Sequence, residues 1–283
     1  MRAALLQLTA SDDPGANLPG TLAAVDEAAA GGAELILTPE VTNCVSASRT
    51  RQAAVLQVET EDRTLAALRE AAARHGRWLL AGSLALKSAE EARFVNRSFL
   101  IDPAGAIAAR YDKIHMFDVT VTETETYRES AAYRPGERAV LAHTPLGALG
   151  LTICYDLRFP ALYRRLAQAG AQILTVPSAF SPVTGAAHWE PLLRARAIET
   201  GCFVLAPAQT GTHAATRGRQ RQTHGHSLVV APWGAVLDDA GTAPGVRLVD
   251  LDLAEVARAR ARVPSLTHDR PFEGPEPGTA DPG

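Results

Sequence analysis

Three side chains that together could attack a carbonyl carbon each follow a strand-like run of the sequence. Glu40 and Cys154 follow apolar runs that are typical of buried strands, and Lys113 follows an alternating run. Because reactive groups gather at the carboxyl ends of strands in α/β sheets, we expect the three to meet. The thiol could act as nucleophile, the carboxylate as base, and the ammonium as a partner for a developing oxyanion.

The neighbourhood of Cys154 favours a nucleophile over a core residue. It lies in the segment GLTICYDLRFP, where a strand enters and a helix leaves from Pro160. Such a sharp turn lifts the side chain above the sheet and points backbone N–H groups at the same space. A free thiol has a pKa of about 8.5 and needs a base. We expect burial near apolar strand ends to raise the pKa of Glu40 into the range where it accepts that proton.

Each of these residues, taken alone, has a plainer interpretation. A lone cysteine is most often a small buried hydrophobe, and Glu40 and Lys113 could be a loop carboxylate and a surface lysine. The other two cysteines, Cys44 and Cys202, lack the strand–turn–helix setting, so we predict buried hydrophobes for both.

Histidine offers an alternative partner for the thiol. A cysteine–histidine dyad of the papain kind has three candidate bases, namely His188, His224 and His226. The pair in "HGH" also suggests a metal site, but no third ligand stands at a usable spacing. We therefore predict neither a metal nor an organic cofactor.

Composition excludes several functional classes. The chain has 283 residues, 46% of them hydrophobic, and a formal net charge of −3 without a basic stripe. Nucleic acid and anionic membrane are therefore not expected partners. No apolar run approaches the roughly 20 residues that span a bilayer. The N-terminal segment is typical of a strand, not a signal peptide, and three widely spaced cysteines predict no disulfide framework, so we expect a cytoplasmic protein.

Strand and helix patterns alternate along nearly the whole chain. The segment 32–39, GAELILTP, resembles the segment 170–177, GAQILTVP, and each follows an Ala-rich helix. Two related halves about a pseudo-two-fold axis favour an α/β fold with two mixed sheets packed face to face and helices outside, a four-layer α-β-β-α sandwich. The alternative is that any two αβ units look alike. We predict one domain over residues 1–270 and a Pro/Gly-rich C-terminal tail over 271–283.

Three motifs in order resemble the carbon–nitrogen hydrolase (nitrilase) superfamily, from residue 1 to about 270. LILTPE resembles the segment that ends in the family's catalytic glutamate, RYDKIHMFD the one with its catalytic lysine, and GLTICYDLRFP its nucleophile motif. The resemblance implies catalytic roles for Glu40, Lys113 and Cys154. It also implies a second glutamate, Glu129, that contacts Lys113 and helps to position the substrate.

One branch of this superfamily is especially similar. The segments PSAFSPVTGAAHWEPLLRARAIET and HGHSLVVAPWG resemble omega-amidases and deaminated-glutathione amidases, which act on small carboxylate-bearing amides. This resemblance implies a pocket near Phe180 and Thr184, and a homodimer. Three segments depart from the pattern: Asp112 before the lysine, a long loop over 213–223, and the C-terminal stretch. The loop and the tail could border the pocket or the dimer contact.

The predicted function is a thiol-dependent amidohydrolase that cleaves the C–N bond of a small linear amide through a thioester. The oxyanion would be held by Lys113 and the backbone N–H of Tyr155. Arg158 is interpreted as a brace for Asp156 or the helix. An N-carbamoyl amino acid amidohydrolase or a nitrilase would use the same residues. A non-catalytic scaffold is the alternative from another class, and it is disfavoured because the full catalytic set is present.

Overall fold

Two six-stranded mixed sheets form the centre of the structure, a computed structural model that describes residues 1–122 and 125–274. In chain order the strands are β1 Arg2–Gln7, β2 Leu35–Leu37, β3 Trp78–Lys87, β4 Phe94–Ile101, β5 Ile107–Asp112, β6 Asp118–Thr122, β7 Glu125–Arg128, β8 Val140–Thr144, β9 Gly147–Leu151, β10 Ile173–Thr175, β11 Phe203–Ala206, β12 Thr210–Thr212, β13 Gln222–His224, β14 Leu228–Val230, β15 Val236–Asp239 and β16 Gly245–Asp250. The α-helices are α1 Pro14–Ala30, α2 Arg49–Val55, α3 Arg63–His75, α4 Pro160–Gln168, α5 Pro182–Thr200 and α6 Ala254–Arg262.

The two sheets share one connectivity, which confirms the predicted pseudo-two-fold halves. The first has the order β16-β1-β2-β3-β4-β5 and the second, written the same way, β8-β9-β10-β11-β14-β15. In both, an antiparallel edge strand is followed by three parallel strands and then two antiparallel ones. The segments 32–39 and 170–177 supply the equivalent strands β2 and β10. The last strand, β16, returns to complete the sheet of the first half.

Alternate side chains of the strands separate the layers. In β1, Ala3 and Leu5 belong to the apolar cluster that contains Leu149 of the second sheet, whereas Leu6 belongs to the cluster that contains Leu68 of α3. Successive side chains of a strand point to opposite faces. Helices α1 and α3 therefore cover the outer face of the first sheet, and α4 and α5 pack on the second. The predicted four-layer α-β-β-α sandwich is confirmed.

Several element boundaries differ from the prediction. The sequence pattern predicts a helix over 188–200, but helix α5 begins six residues earlier at Pro182, because proline is favoured in the first turn and Ser181 before it is extended. Helix α2, strand β8 and the hairpins β6–β7 and β12–β13 were not predicted. No helix in the described residues is long and apolar enough to span a membrane. The division into a domain over 1–270 and a tail over 271–283 stays a prediction, and residues 275–283 lie outside the described part of the chain.

Candidate active site

Glu40, Lys113 and Cys154 meet at one pocket, as the strand-end argument predicts. Glu40 and Cys154 each stand three residues beyond the ends of β2 and β9, and Lys113 directly follows β5. All three line a cavity of about 570 Å³, together with the predicted positioning residues Glu129, Tyr155, Phe180 and Thr184. Lys113 comes from an outer strand of the first sheet, and the loop after β5 carries it to the pocket.

Lys113 lies between two carboxylates. Its Nζ donates to Glu40 Oε1 at 2.9 Å and to both oxygens of Glu129, each at 2.9 Å. Burial acts to lower the pKa of Lys113, but the charges of Glu129 and Glu40 outweigh burial and raise the pKa well above its usual value. Glu129 is fixed in turn by the backbone N–H of Phe117, which donates to Oε2 at 2.6 Å. Lys113 is thus held as a charged ammonium within the protein.

Three donors from separate segments fix Glu40. Besides Lys113, Asn96 Nδ2 donates to Oε1 at 2.9 Å and the N–H of Ala179 donates to Oε2 at 2.8 Å. The expected raised pKa of Glu40 is wrong. Burial does act to raise it, but the Lys113 ammonium and the hydrogen bonds to Glu40 outweigh burial and lower the pKa below its usual value. The carboxylate is ionised and able to accept a proton.

Cys154 adopts the strained backbone of a nucleophile turn. The strand before Cys154 ends at Leu151, and Cys154 begins a short 3₁₀-helix with φ +47°. A left-handed conformation at a non-glycine residue costs roughly 1–3 kcal/mol and persists only where the surroundings impose it. The Cys154 N–H donates to Pro177 O at 3.0 Å. Burial and the nearby Glu40 carboxylate raise the pKa of the thiol.

The backbone N–H of Tyr155, predicted as an oxyanion donor, is available at this turn. Among the described residues none accepts a hydrogen bond from it. The first N–H groups of a helix have no partner inside the helix and can bind a ligand instead. Cys154 and Tyr155 therefore present a side chain and a backbone donor to one pocket.

Asp156 holds this turn together, a role that the sequence analysis did not assign. The fully buried carboxylate accepts from the Ile153 N–H at 2.9 Å, from Tyr111 Oη at 2.6 Å, and from the N–H and Nδ1 of His115 at 3.0 and 2.7 Å. His115 also stacks on Phe159, with ring centroids 3.5 Å apart. Asp156 thereby joins the Cys154 turn to the segment that carries Lys113. The sequence feature that could have revealed this role is the position of Asp156, two residues after Cys154.

Arg158 was predicted to brace Asp156 or the helix, and in the described residues its guanidinium does not contact Asp156. The guanidinium lies 5.9 Å from the Tyr155 ring centroid and 5.6 Å from that of Phe180, and its Nη2 lies 3.2 Å from His188 Nδ1. The Arg158 guanidinium therefore lies beside the rings of Tyr155 and Phe180, close to Cys154 in the chain.

None of the three candidate histidine bases is among the residues that line the pocket, although the His224 N–H donates to Phe180 O behind it. His224 and His226 stack on each other, and His226 Nδ1 lies 3.0 Å from the Asp239 carboxylate. In the described part of the chain, no group of three or more His, Cys, Asp or Glu side chains is arranged to hold a metal ion. Geometry thus favours Glu40 over histidine as the base for Cys154.

Cationic side chains around the pocket were missed. Four arginines line it, from three separate segments of the chain, namely Arg49, Arg128, Arg219 and Arg221. Two of them, Arg219 and Arg221, belong to the 213–223 loop. This loop was expected to border either the pocket or the dimer contact, and it borders the pocket. Cys44 also lines the cavity, where burial raises its pKa to about 12. The arginines lack a characteristic spacing, so only the fold brings them together.

Comparisons with known proteins identify the family of this chain. The carbon–nitrogen hydrolase family model matches residues 2–261. A deaminated glutathione amidase of Yersinia enterocolitica is 46% identical over 72% of this chain and 70% of its own length, and one of Synechocystis is 41% identical over 94% and 97%. The crystal structure of the Caenorhabditis elegans NitFhit protein superposes with a TM-score of 0.86 at 36% identity, covering 95% of this chain and 65% of that one. The chain therefore belongs to the carbon–nitrogen hydrolase family, and it is a hydrolase that acts on C–N bonds outside peptides.

Proposed function

We propose that this protein hydrolyses a small linear amide that carries a carboxylate, through a thioester on Cys154. The observation that carries the proposal is the position of Lys113, 2.9 Å from both Glu40 and Glu129, in the pocket that Cys154 lines. A buried nucleophile, an ionised base and a fixed cation are the parts that acyl transfer from an amide requires.

The reaction begins with the proton on Cys154, because the pKa of the thiol is raised and that of Glu40 is lowered. Glu40 accepts the proton as the sulfur attacks the carbonyl carbon. The Lys113 ammonium and the Tyr155 N–H stabilise the oxyanion. Glu40 then protonates the departing nitrogen, and the C–N bond breaks to leave a thioester. Water, deprotonated by Glu40, attacks the thioester, and the acid departs as Cys154 regains its proton.

Charge around the pocket supports a carboxylate-bearing substrate. Glu40 and Glu129 are both bonded to Lys113, whereas four arginines contribute positive charge to the lining. Guanidinium groups bind carboxylates with two parallel hydrogen bonds. The relatives named deaminated glutathione amidase support the same substrate class.

Product analysis tests the function. Purified wild-type protein and Cys154→Ala are incubated with deaminated glutathione, 2-oxoglutaramate, succinamate, an N-carbamoyl amino acid and a nitrile. We expect acid and amine or ammonia from the carboxylate-bearing amides, none from Cys154→Ala, and a hydroxylamine-sensitive mass increase on Cys154 during turnover. Wild-type turnover by Cys154→Ala would refute the nucleophile. Carbon dioxide with ammonia, or acid formed from a nitrile, would assign the activity to a related class.

A homodimer and a cytoplasmic location are further parts of the proposal. Ile198, Trp233 and Val263 are exposed apolar residues, at 57%, 51% and 56%, near the end of α5, in the β14–β15 turn and just after α6, and the Arg262 guanidinium lies over the Trp233 ring. We expect light scattering to give a dimer mass that Trp233→Glu lowers to that of a monomer. Leu248→Glu, at an apolar position on β16 that is 42% exposed, is the control. Three free thiols agree with a reducing compartment.

A further inference from the structure

Several buried polar atoms at the pocket have no hydrogen-bond partner in the part of the chain that the structure describes. They are Asn96 Oδ1, Ser181 Oγ, Thr184 Oγ1 and Arg221 Nε, and all four residues line the cavity. More than nine in ten buried polar groups in proteins are hydrogen-bonded, because an unpaired group costs roughly 1–3 kcal/mol. The position of all four at one cavity indicates that a ligand completes them.

Arg221 is the charged member of this set. Its Nη2 donates to Ala179 O at 3.2 Å, which leaves Nε buried and unpaired. Among the carboxylates that the structure describes, none forms an ion pair with this guanidinium. A partly buried guanidinium without a carboxylate is costly unless an anion binds. A ligand carboxylate is the group that would satisfy it.

The loop that carries Arg221 is held in place without a ligand. Buried His213 bonds to Ala10 O and Thr223 Oγ1, each at 2.7 Å. Buried Asp12 accepts from the N–H and Oγ1 of Thr216, at 2.8 and 2.9 Å. An ordered binding loop lowers the entropy that binding costs. The loop therefore positions the Arg221 guanidinium beside the pocket before a ligand binds.

The neighbours of Arg221 indicate which half of the substrate it meets. Ala179, whose carbonyl oxygen accepts from Arg221, donates its own N–H to Glu40 Oε2. In the mechanism above, Glu40 protonates the departing nitrogen, so the amine half of the amide lies on the Glu40 side. Arg221 stands on that side of the pocket.

We infer that Arg221 binds a carboxylate on the amine half of the substrate, with Arg219 beside it on the same loop. Arg221 then discriminates between amides whose leaving amine carries a carboxylate and amides whose leaving amine lacks one. This inference rests on the proposed function, and it makes Arg221 the residue that determines which leaving group is accepted.

A matched pair of amides isolates this contact. Both have the γ-carboxyl of 2-oxoglutarate as acyl half; one carries glycine as the amine and the other glycinamide, which lacks the carboxylate. The measured quantity is the ratio of the two kcat/KM values. We expect wild type to prefer the glycine amide and Arg221→Gln to reduce that ratio by about 10- to 100-fold. Any effect of Arg221 on Glu40 changes both values equally and cancels.

Arg217→Gln is the control, because Arg217 is exposed on the same loop and is not among the residues that line the cavity. It should keep the wild-type ratio, and Arg221→Lys should retain part of it. A ratio for Arg221→Gln within twofold of wild type, or an equal change in Arg217→Gln, would overturn the inference. Circular dichroism establishes that each variant is folded.

A binding measurement separates the inference from the proposed function. Calorimetry on Cys154→Ala, with and without Arg221→Gln, gives the affinity for each amide when no turnover occurs. Loss of the glycine-amide preference in the double variant supports the inference even if wild type hydrolyses neither amide, in which case only the proposed function fails. Equal affinity of Cys154→Ala for both amides overturns the inference even if both are hydrolysed.

Discussion

Replacing Asp156 by Asn should loosen the turn that holds Cys154 while keeping the size of the side chain. The carboxylate accepts four hydrogen bonds, two at each oxygen. An amide has one oxygen, so either the N–H of Ile153 or that of His115 must face an NH₂ group. Tyr111 Oη can rotate to accept, but a backbone N–H cannot.

The stability that Asp156→Asn should lose follows from the number of these hydrogen bonds. One hydrogen bond to a charged acceptor is lost outright, worth about 1.5–3 kcal/mol, and the bonds that remain go to a neutral acceptor. We expect Asp156→Asn to lower the free energy of unfolding by about 2–4 kcal/mol. Because the strained φ of Cys154 depends on this turn, kcat/KM should fall by about 10- to 100-fold.

Urea unfolding followed by circular dichroism measures the stability, and amide hydrolysis measures the activity. The rate of iodoacetamide labelling at Cys154 reports the turn itself. Tyr111→Phe is the control, because it removes one donor and leaves the carboxylate with three; it should cost about 1–2 kcal/mol. An Asp156→Asn protein that is less stable but labels and turns over at the wild-type rate would refute the role in positioning Cys154.

Three further perturbations test other parts of the site. In Gly82→Ala the new Cβ would stand 1.9 Å from Thr38 O, a backbone atom that cannot move aside as a side chain can. Urea unfolding should therefore show a free energy of unfolding that is lower by about 3 kcal/mol, and amide hydrolysis should be lost. Glu129→Gln removes a charged partner that bonds to Lys113 twice; we expect kcat/KM to fall about 100-fold, and an unchanged value would contradict the role of this pair. Burial lowers the pKa of His213 from 6.5 to about 4. As the pH falls, the unfolded chain therefore binds a proton at this residue before the folded chain does, and the free energy of unfolding should fall by roughly 3 kcal/mol between pH 6.5 and 4. In urea titrations, His213→Gln should flatten that pH dependence.

Elements with a local cause were predictable from the sequence. Gly76 ends α3 with φ +61°, as a left-handed C-cap residue should, and the two segments that end in Pro39 and Pro177 form equivalent strands. The start of α5 was placed too late because Ser181 provides no side-chain cap that a sequence pattern would reveal. The local signal for this start is Pro182 itself, in the first turn.

Some residues of the site could likewise be predicted from the sequence, and others could not. Glu40, Lys113 and Cys154 follow strands whose order the alternating pattern predicts, so their meeting could be inferred. Arg221 and Asn96 could not, because a local hairpin carries each of them, but their contacts at the pocket come from distant segments: Arg221 donates to Ala179 O and Asn96 to Glu40. No short sequence window contains that information.

The pKa of Glu40 shows why a local argument about a buried group can have the wrong sign. Burial alone would raise it, and the sequence analysis considered burial alone. In the folded chain the charge of Lys113, 2.9 Å away, outweighs burial, and the same ammonium acts on the thiol. With the pKa of Glu40 lowered and that of Cys154 raised, the free enzyme holds a neutral thiol beside an ionised carboxylate. In the proposed reaction, proton transfer to Glu40 therefore accompanies attack on the carbonyl, when charge moves from sulfur to an oxygen beside Lys113.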